Sequence, residues 1–266
     1  MRVACVLMQR NEDLCLHPWL AWHGHLFGYE SLYVLDHGSD DPCVLETLKL
    51  FGALGVNVHP LPANADYRPK GEYVTGVMRI LEHTGVYDFL LPLDCDEFVT
   101  MRNTQGEPSA ARDDILIHLS TLVGDIFEVQ ENFLNMLGHQ DHFFALPYQK
   151  VFFRSGSVHE VDHGSHRCID GTPATPTRLA YAHFHHKSYA RQQRTSLEKL
   201  QPYVEITNRA ALEAFRGVGW HLVSHVQKTR AEYMALLTPD DQCITFPALG
   251  EMFELLGIDP LFYEEP

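Results

Sequence analysis

The sequence predicts an α/β fold in which a mostly parallel sheet is flanked by helices. In the first hundred residues, short unbroken apolar runs alternate with segments whose apolar residues recur at helical spacing. Unbroken apolar runs of this length are typical of strands that are buried on both faces. The connections between these segments are short, as in right-handed βαβ units. Together these observations favour a parallel sheet in this half of the chain.

Local signals define the individual elements of the first half. Pro18 and Pro42 occupy first-turn positions that proline favours, and Asp41 is a capping acid before Pro42. Gly28 and Gly55 end these two helices. The predicted elements are, in order, a strand at 3–8, a helix at 18–27, a strand at 31–35, a helix at 42–54, a strand at 56–61, a helix at 67–83 and a strand at 89–93.

After residue 100 the pattern changes to an irregular part that is rich in loops and helices. The segments 102–112 and 155–176 carry glycine and proline with little periodicity, which predicts loops. The remaining predicted elements are strands at 125–130, 150–153 and 178–183 and helices at 113–122, 189–200, 209–215 and 229–237. Because no low-complexity linker interrupts the chain, we expect one domain over residues 1–266, with a nucleotide-binding half at 1–100.

Composition excludes several classes of protein. The 266 residues are 45% hydrophobic and 21% charged, which is typical of a globular domain. A net charge of −15 argues against a broad nucleic-acid-binding surface, so we expect no nucleic-acid partner. The longest uncharged stretch, 14–29, contains histidine, proline and glycine, so we expect no transmembrane segment. The six cysteines form no C-x-x-C pair, and we interpret them as reduced thiols of a cytoplasmic protein.

The strongest local feature is an apolar strand that leads directly into three acids. Residues 89–98 have the sequence FLLPLDCDEF. The carboxyl ends of strands in an open parallel sheet face the ligand crevice. Asp94 and Asp96 are spaced so that both carboxylates point the same way if the strand conformation continues. Two carboxylates suit Mg²⁺ or Mn²⁺, with the phosphates of a ligand completing the shell. The alternative interpretation is a helix cap or a solvated loop end.

Two further strand ends carry polar side chains at the same edge of the predicted sheet. The first strand leads into residues 9–13, QRNED, and the second ends at Asp36. A carboxylate at this place can accept hydrogen bonds from a ribose or a base, although a turn explains Asp36 equally well. Three polar strand ends at one edge predict a ligand crevice there.

These motifs resemble those of the GT-A-fold glycosyltransferases. More narrowly, they resemble a bacterial family-2-like branch whose members begin with K/R-N-E and carry D-N-x-S-x-D and D-x-D-E-F. The matching segments are 7–13, 33–41 and 91–98, with Trp19 and Trp22 in the first helix. The chain departs from the branch at His37, where Asn is usual. Beyond residue 100 the resemblance rests on the basic and histidine segments 150–154, 163–166 and 183–188.

The resemblance implies a Rossmann-like GT-A fold that binds a nucleotide-sugar donor. Asp36 would hold the base or ribose, Asp94 would lie near the ribose or the metal, and Asp96 would ligate Mn²⁺ or Mg²⁺. A divalent ion stabilises the negative charge that develops on a departing diphosphate. The residues that follow the first strand, Arg10, Asn11 and Glu12, would line the nucleotide pocket.

Histidines and lysines of the chain are further candidates. Imidazole can complete the shell of a metal held by carboxylates, and we expect His166 or His183 to do so, against the alternative of surface or hydrogen-bonded histidines. Lys70, Lys150 and Lys187 would face the diphosphate, and the alternative is that they only pair with the many acids or lie in solvent.

An inverting transfer also needs a base that takes the proton of the acceptor hydroxyl. Glu131 directly follows the predicted strand at 125–130 and would face the crevice. The competing carboxylates are Glu128, Glu160 and Asp162.

The function that we expect is a metal-dependent transfer of a sugar from a nucleoside-diphosphate sugar to a hydroxyl acceptor. The donor half is 1–100 and the acceptor-side half is 101–266, and the acceptor would be a polysaccharide or a lipid-linked saccharide. One alternative is a metal-dependent hydrolase whose histidines build the site, for which His183 and His185 form the one suitable H-x-H motif. The other is a nucleotide-binding module without catalysis.

Overall fold

The computed structural model describes residues 1–62, 68–217, 219–237 and 243–258. Within these ranges the chain forms two sheets and the helices that cover them. The strands are β1 (Val3–Gln9), β2 (Leu32–Asp36), β3 (Asn57–Pro60), β4 (Phe89–Pro92), β5 (Glu97–Arg102), β6 (Pro108–Ser109), β7 (Ile126–Val129), β8 (Glu131–Met136), β9 (His139–Leu146), β10 (Lys150–Arg154), β11 (Thr175–Pro176), β12 (Leu179–His183) and β13 (Cys243–Thr245). The α-helices are α1 (Leu16–Phe27), α2 (Pro42–Ala53), α3 (Lys70–Glu82), α4 (Arg112–Thr121), α5 (Tyr189–Leu200), α6 (Arg209–Ala214), α7 (Val223–Gln227), α8 (Arg230–Ala235) and α9 (Pro247–Leu255).

The first sheet has seven strands in the order β11-β7-β10-β4-β1-β2-β3. The pairs β1–β2, β1–β4 and β2–β3 are parallel, whereas β10 is antiparallel to both of its neighbours. The predicted α/β fold with a mostly parallel sheet flanked by helices is therefore confirmed. Every residue of β1 is buried, as its unbroken apolar run predicts.

Side-chain alternation along β1 divides the core into two clusters. Cys5 and Leu7 pack on the face of the sheet that α1 and α2 cover. Val6 and Met8 point to the opposite face and pack with the apolar stripe of α3. The helices therefore lie on both faces of the sheet, and the carboxyl ends of β1, β2 and β4 meet at one edge.

The second sheet has the order β13-β9-β8-β12-β5-β6 and joins the core cluster on the α1 side. The stretch 131–146, for which the sequence pattern predicted no element, forms the hairpin of β8 and β9. Its buried residues include Asn132 and Asn135. Polar residues at buried positions break the alternation that indicates a strand, which is why the pattern failed to show this hairpin.

The boundaries of the predicted elements shift by a few residues. The fourth strand ends at Pro92, and the first helix begins at Leu16. Tyr67, the predicted start of the third helix, lies outside the described residues, and α3 begins at Lys70. The elements β5, β6, β11, β13, α7 and α9 were not predicted. All six cysteines have free thiols. No helix in the described ranges is long and apolar enough to cross a membrane.

Candidate functional site

The site lies where the chain passes from the first sheet to the second. β4 ends at Pro92, β5 begins at Glu97, and the four residues between them form a turn. The backbone N–H of Asp94 donates to the Glu97 carboxylate at 2.7 Å, and the N–H of Glu97 donates to the carbonyl of Asp94 at 3.1 Å. The strand conformation does not continue through the turn, so the condition under which Asp94 and Asp96 would point the same way is not met. The two carboxylates contact different partners.

Asp94 lies between two lysines. Lys70, the first residue of α3, contacts one carboxylate oxygen, and Lys150, the first residue of β10, approaches the other at 2.8 Å. Lys150 also pairs with Glu97 at 2.5 Å, and only 1% of its side chain is exposed. Burial alone would raise the pKa of Asp94, but Lys150 and Lys70 hold it below its ordinary value. Three predicted site residues, Lys70, Asp94 and Lys150, are thus brought together. The two lysines contact both carboxylate oxygens of Asp94.

Asp96 lies beside two histidines from the end of β12. Its Oδ2 atom is 3.5 Å from Nε2 of His183 and 4.0 Å from Nδ1 of His185. Antiparallel pairing of β12 with β5 places His183 opposite Glu97, next to the turn that carries Asp96. Phe184 is fully buried, and its backbone N–H donates to the carbonyl of Asp96 at 2.8 Å. The two histidines therefore flank a residue that anchors this segment to the turn.

Electrostatics within this group favour neutral imidazole on one histidine only. Burial alone would raise the pKa of Asp96, but His183 and Lys187 keep it well below its ordinary value. Burial alone would lower the pKa of His183, but Asp96 raises it. Burial and the neighbouring His183 lower the pKa of His185 to about 3. His185 therefore has an available nitrogen lone pair at neutral pH.

The ring of His183 is held by Asn132 of the neighbouring strand β8. As placed, Nδ2 of Asn132 donates to Nδ1 of His183 at 2.9 Å, and the amide oxygen is buried without a hydrogen-bond partner among the described residues. Turning the amide by 180° would place that oxygen on a protonated Nδ1. The lone pair of Nε2 would then face Asp96. A metal-bound imidazole is held in the same way when its other ring N–H donates to a neighbouring acceptor.

The three residues Asp96, His183 and His185 fit a divalent metal ion. One ligand atom from each lies within 4.8 Å of the others. One carboxylate and two imidazoles form a donor set that suits Mn²⁺ as well as Zn²⁺. His166, which the sequence placed in this role, lies elsewhere. Its Nδ1 donates to the carbonyl of Gln149 at 2.8 Å. Among the described residues, His166 does not belong to any group of three or more side chains that could hold a metal ion.

The end of β1 is tied to the same region through Lys187. Its ammonium group lies 3.5 Å from the carboxylate of Glu12 and interacts electrostatically with Asp96. Burial alone would lower the pKa of Lys187, but Glu12 raises it, so the side chain stays charged. Arg191, in the first turn of α5, pairs with Asp13. The predicted residues Glu12 and Lys187 thus lie together beside the Asp96 group.

Asp36 and Asn11 hold the loop between β2 and α2. The buried carboxylate of Asp36 accepts hydrogen bonds from Nε2 of Gln9 at 2.7 Å and from Oγ of Ser39 at 2.5 Å. Asn11, with a φ of 53°, accepts from the backbone N–H groups of Asp40 and Asp41 and donates to the Asp40 carboxylate. These contacts explain both residues as loop supports. Their roles in binding a nucleotide stay predictions.

Glu131 lies apart from the groups around Asp94 and Asp96, and the role of Arg10 in binding a nucleotide stays a prediction. Glu131 forms an ion pair with Arg102. Parallel pairing of β8 with β12 places Glu131 beside Ala180, three residues before His183, which corresponds to about 10 Å along the strand. Arg10 is exposed at the end of β1. The role of Glu131 as a base is therefore a prediction that the geometry does not support.

Two residues of the site, Glu97 and Asn132, were not chosen from the sequence, and His185 was named there only for the hydrolase alternative. The alternation of His183, Phe184 and His185 directly after a predicted strand was the signal for His185, because strand spacing would put both histidines on one side. Asn132 had no local signal, since its contact with His183 depends on the pairing of β8 with β12.

Comparison with known proteins finds only distant similarity. No family model matches the chain, and no curated protein matches it. The crystal structure of S. aureus TarS 1-349 aligns at 11% identity with a TM-score of 0.39, covering 98% of this chain and 83% of that one. The longer S. aureus TarS structure aligns at 12% identity with a TM-score of 0.38, and the alignment spans 78% of this chain but only 41% of the TarS chain.

Glucosyl-3-phosphoglycerate synthase from Mycobacterium tuberculosis, in complex with Mn²⁺, UDP and glucosyl-3-phosphoglycerate, aligns at 16% identity with a TM-score of 0.32. That alignment covers 50% of this chain and 44% of the synthase. Similarity at this level does not establish a shared family or activity.

Proposed function

We propose that this chain is a glycosyltransferase that uses a nucleoside-diphosphate sugar and a divalent metal ion. The observation that carries the proposal is the position of Asp96 between His183 and His185, at the carboxyl edge of a mostly parallel sheet. Ligands of open α/β sheets bind at this edge. The D-x-D-E-F resemblance of the segment 94–98 agrees with a donor site there.

Asp96, His183 and His185 would hold the metal, for which Mn²⁺ is the better match of the two predicted ions because imidazole is a poor ligand for Mg²⁺. When bound, a divalent ion supplies positive charge that stabilises a departing diphosphate. This assignment replaces His166 by His185 and moves Asp94 out of the metal shell, since lysines occupy both of its oxygens.

The lysines near the site divide into two kinds. Lys150 is buried between Asp94 and Glu97, so we assign it to holding the turn that carries Asp96. Lys70 and Lys187 are partly exposed, at 10% and 12% of their side chains. Each pairs with a carboxylate that a donor phosphate can replace as its partner. We therefore infer that Lys70 and Lys187 bind the diphosphate, because ammonium groups form strong charge-assisted hydrogen bonds with phosphate.

A metal-dependent hydrolase is a second candidate function. The observation in its favour is the donor set itself, since two histidines and one aspartate are also a common set for a catalytic zinc ion. The two functions differ in the fate of the sugar. A transferase passes the sugar to a hydroxyl acceptor and slows or stops when no acceptor is present. A hydrolase acts on its substrate with water alone.

The experiment that tests the proposal measures nucleoside-diphosphate release from a panel of sugar donors, with Mn²⁺ or Zn²⁺ and with or without saccharide acceptors. We expect release with Mn²⁺ that increases with an acceptor and is lost in Asp96→Ala. His142→Ala is the control, because His142 pairs with Asp141 and is not part of the site. Release that is unchanged in Asp96→Ala contradicts the metal assignment. Zinc-dependent release without an acceptor would identify the hydrolase.

A further inference from the structure

A second group of potential metal ligands lies away from the Asp96 group. It consists of His159, Cys168 and Asp170, whose ligand atoms all lie within 4.8 Å of one another. Cys168 is buried, His159 is 34% exposed and Asp170 is 54% exposed, so the group opens to solvent on one side. The proposed sugar transfer uses none of these three residues.

The three side chains meet because residues 159–170 fold back on themselves. We refer to this segment as the 159–170 hairpin. Val161 and Cys168 form an antiparallel bridge, and the N–H of Ile169 donates to the carbonyl of Glu160 at 2.8 Å. Two residues outward from the bridge, His159 and Asp170 face each other across the hairpin. Because side chains two residues apart share a face, Cys168 lies on the same side as this pair.

His159 and Asp170 are already oriented toward each other. Nδ1 of His159 lies 2.7 Å from Oδ2 of Asp170. The other carboxylate oxygen accepts the backbone N–H of Thr172 at 2.9 Å, which fixes the carboxylate. The imidazole ring stacks near the Phe153 ring, with an interplanar angle of 14° and centroids 6.5 Å apart. Both side chains are thus held in place before any ligand binds.

We propose that His159, Cys168 and Asp170 bind one Zn²⁺ ion, with water as the fourth ligand. Tetrahedral zinc with ordinary bond lengths separates its nitrogen, sulfur and oxygen ligands by about 3.4–3.6 Å. The ligand atoms reach this spacing through small side-chain movements, in which the His159–Asp170 contact opens and Cys168 moves inward. Binding releases the thiol proton of Cys168 to solvent and shifts the imidazole proton from Nδ1 to Nε2.

The ligand types select the metal. A thiolate is a soft ligand that favours zinc over Mn²⁺ and Mg²⁺, whereas the Asp96 group has no sulfur among its three ligands. Both groups suit zinc, and the thiolate of Cys168 is the ligand that distinguishes this site from the Asp96 group. Burial and the nearby Asp170 raise the pKa of Cys168 to about 11, so the thiol is protonated in the metal-free protein.

Zinc at this position would brace the hairpin against α3. The backbone N–H of Val161 donates to Oγ1 of Thr75 at 3.2 Å, and the carbonyl of Ser165 accepts from the N–H of Val151 at 2.9 Å. The hairpin therefore contacts both α3 and β10, the two elements that begin with Lys70 and Lys150. Zinc should raise the thermal stability of the protein by fixing the base of the hairpin.

The test titrates the metal-free full chain with Co²⁺ and then with Zn²⁺. Cobalt bound to a thiolate absorbs in the near ultraviolet through charge transfer, so it reports on Cys168 directly. We expect this band in the wild type and in Cys43→Ser, whose thiol is exposed on α2. The band should be absent in Cys168→Ser. Zinc binding at this site should weaken at least about tenfold in Cys168→Ser and in Asp170→Asn, because each variant loses one ligand.

Asp96→Asn separates the two sites, since it should keep the cobalt–thiolate band of the wild type. The proposal is overturned if the wild type shows no thiolate band, or if Zn²⁺ binds equally to the wild type and to both ligand variants. Asp170 is exposed, so Asp170→Asn gives a decisive result even if Cys168→Ser does not fold.

Discussion

Position 71 requires glycine because α3 lies against the 159–170 hairpin without room for a side chain. A Cβ atom at Gly71 would stand 2.3 Å from the carbonyl oxygen of Val161 and 2.9 Å from that of Asp162. Real Cβ contacts stay above 3.0 Å, and these obstacles are backbone atoms that cannot rotate away. The variant Gly71→Ala must therefore push α3 and the hairpin apart.

The size of the effect follows from two opposing contributions. Overpacking of this kind costs about 1–3 kcal/mol. Alanine in place of glycine within a helix contributes up to about 1 kcal/mol of stability. Gly71→Ala should therefore lower the free energy of unfolding by about 1–2 kcal/mol. Gly76 lies in the same helix, and a Cβ there meets no atom within 4 Å. Gly76→Ala should raise the free energy of unfolding by about 0.5–1 kcal/mol.

Urea denaturation followed by tryptophan fluorescence measures both variants, because Trp19 and Trp22 are fully buried. The midpoints should shift in opposite directions relative to the wild type. In thermal melts, 1 kcal/mol corresponds to about 2 °C for a chain of this length. If Gly71→Ala is as stable as Gly76→Ala, the close approach of α3 to the hairpin is refuted. The displacement should also weaken nucleotide binding in Gly71→Ala alone, because Lys70 precedes Gly71 at the site.

Two further predictions concern charges at the site. Lys150→Met leaves the buried carboxylate of Glu97 without its partner and removes one of the two lysines that contact Asp94. It should cost about 3–5 kcal/mol in urea denaturation at pH 7, with a smaller loss near pH 4, because burial raises the pKa of Glu97 and this carboxylate takes up a proton there. The exposed Lys199→Met should change stability by less than about 0.5 kcal/mol. If the free energy of unfolding of Lys150→Met stays within about 1 kcal/mol of the wild-type value, the buried ion pairs are not formed. The pKa of His183 is raised above its ordinary value of 6.5, and a metal needs the neutral ring. Mn²⁺ affinity should therefore increase as the pH rises above 6.5. An affinity that stays constant above pH 6.5 in calorimetric titrations would exclude His183 as a ligand.

The front half of the fold was predictable because its signals are local. The apolar run of β1, the prolines in the first turns of α1 and α2, and the acid cap of α2 each act within a few residues. The edge of the sheet that carries the site followed from these elements, because parallel strands align their carboxyl ends. Asp96 and His183 were candidates on these grounds, since Asp96 lies three residues past one predicted strand and His183 ends another. Their role as metal ligands stays a prediction.

The remaining features of the site depend on contacts between distant parts of the chain. Asp94 and Asp96 diverge because the chain changes sheets between them, and no local pattern marks that change. Glu131 pairs with Arg102 because β8 lies beside β12, which is a non-local pairing. His166 lies in the 159–170 hairpin, and its ring contacts the carbonyl of Gln149 instead of the Asp96 group. The sequence therefore indicates the residue types of the site, whereas the sheet pairings determine which of them meet.

The most direct test of the central claim is a calorimetric titration of the metal-free protein with Mn²⁺. We expect one site in the wild type, an affinity reduced at least about tenfold in both Asp96→Asn and His185→Ala, and wild-type affinity in His142→Ala. His185→Ala is the sharpest variant, because burial keeps this ring neutral and available while Asp96 supplies the carboxylate. Equal Mn²⁺ affinity in the wild type and in both site variants would contradict a metal centre formed by Asp96, His183 and His185.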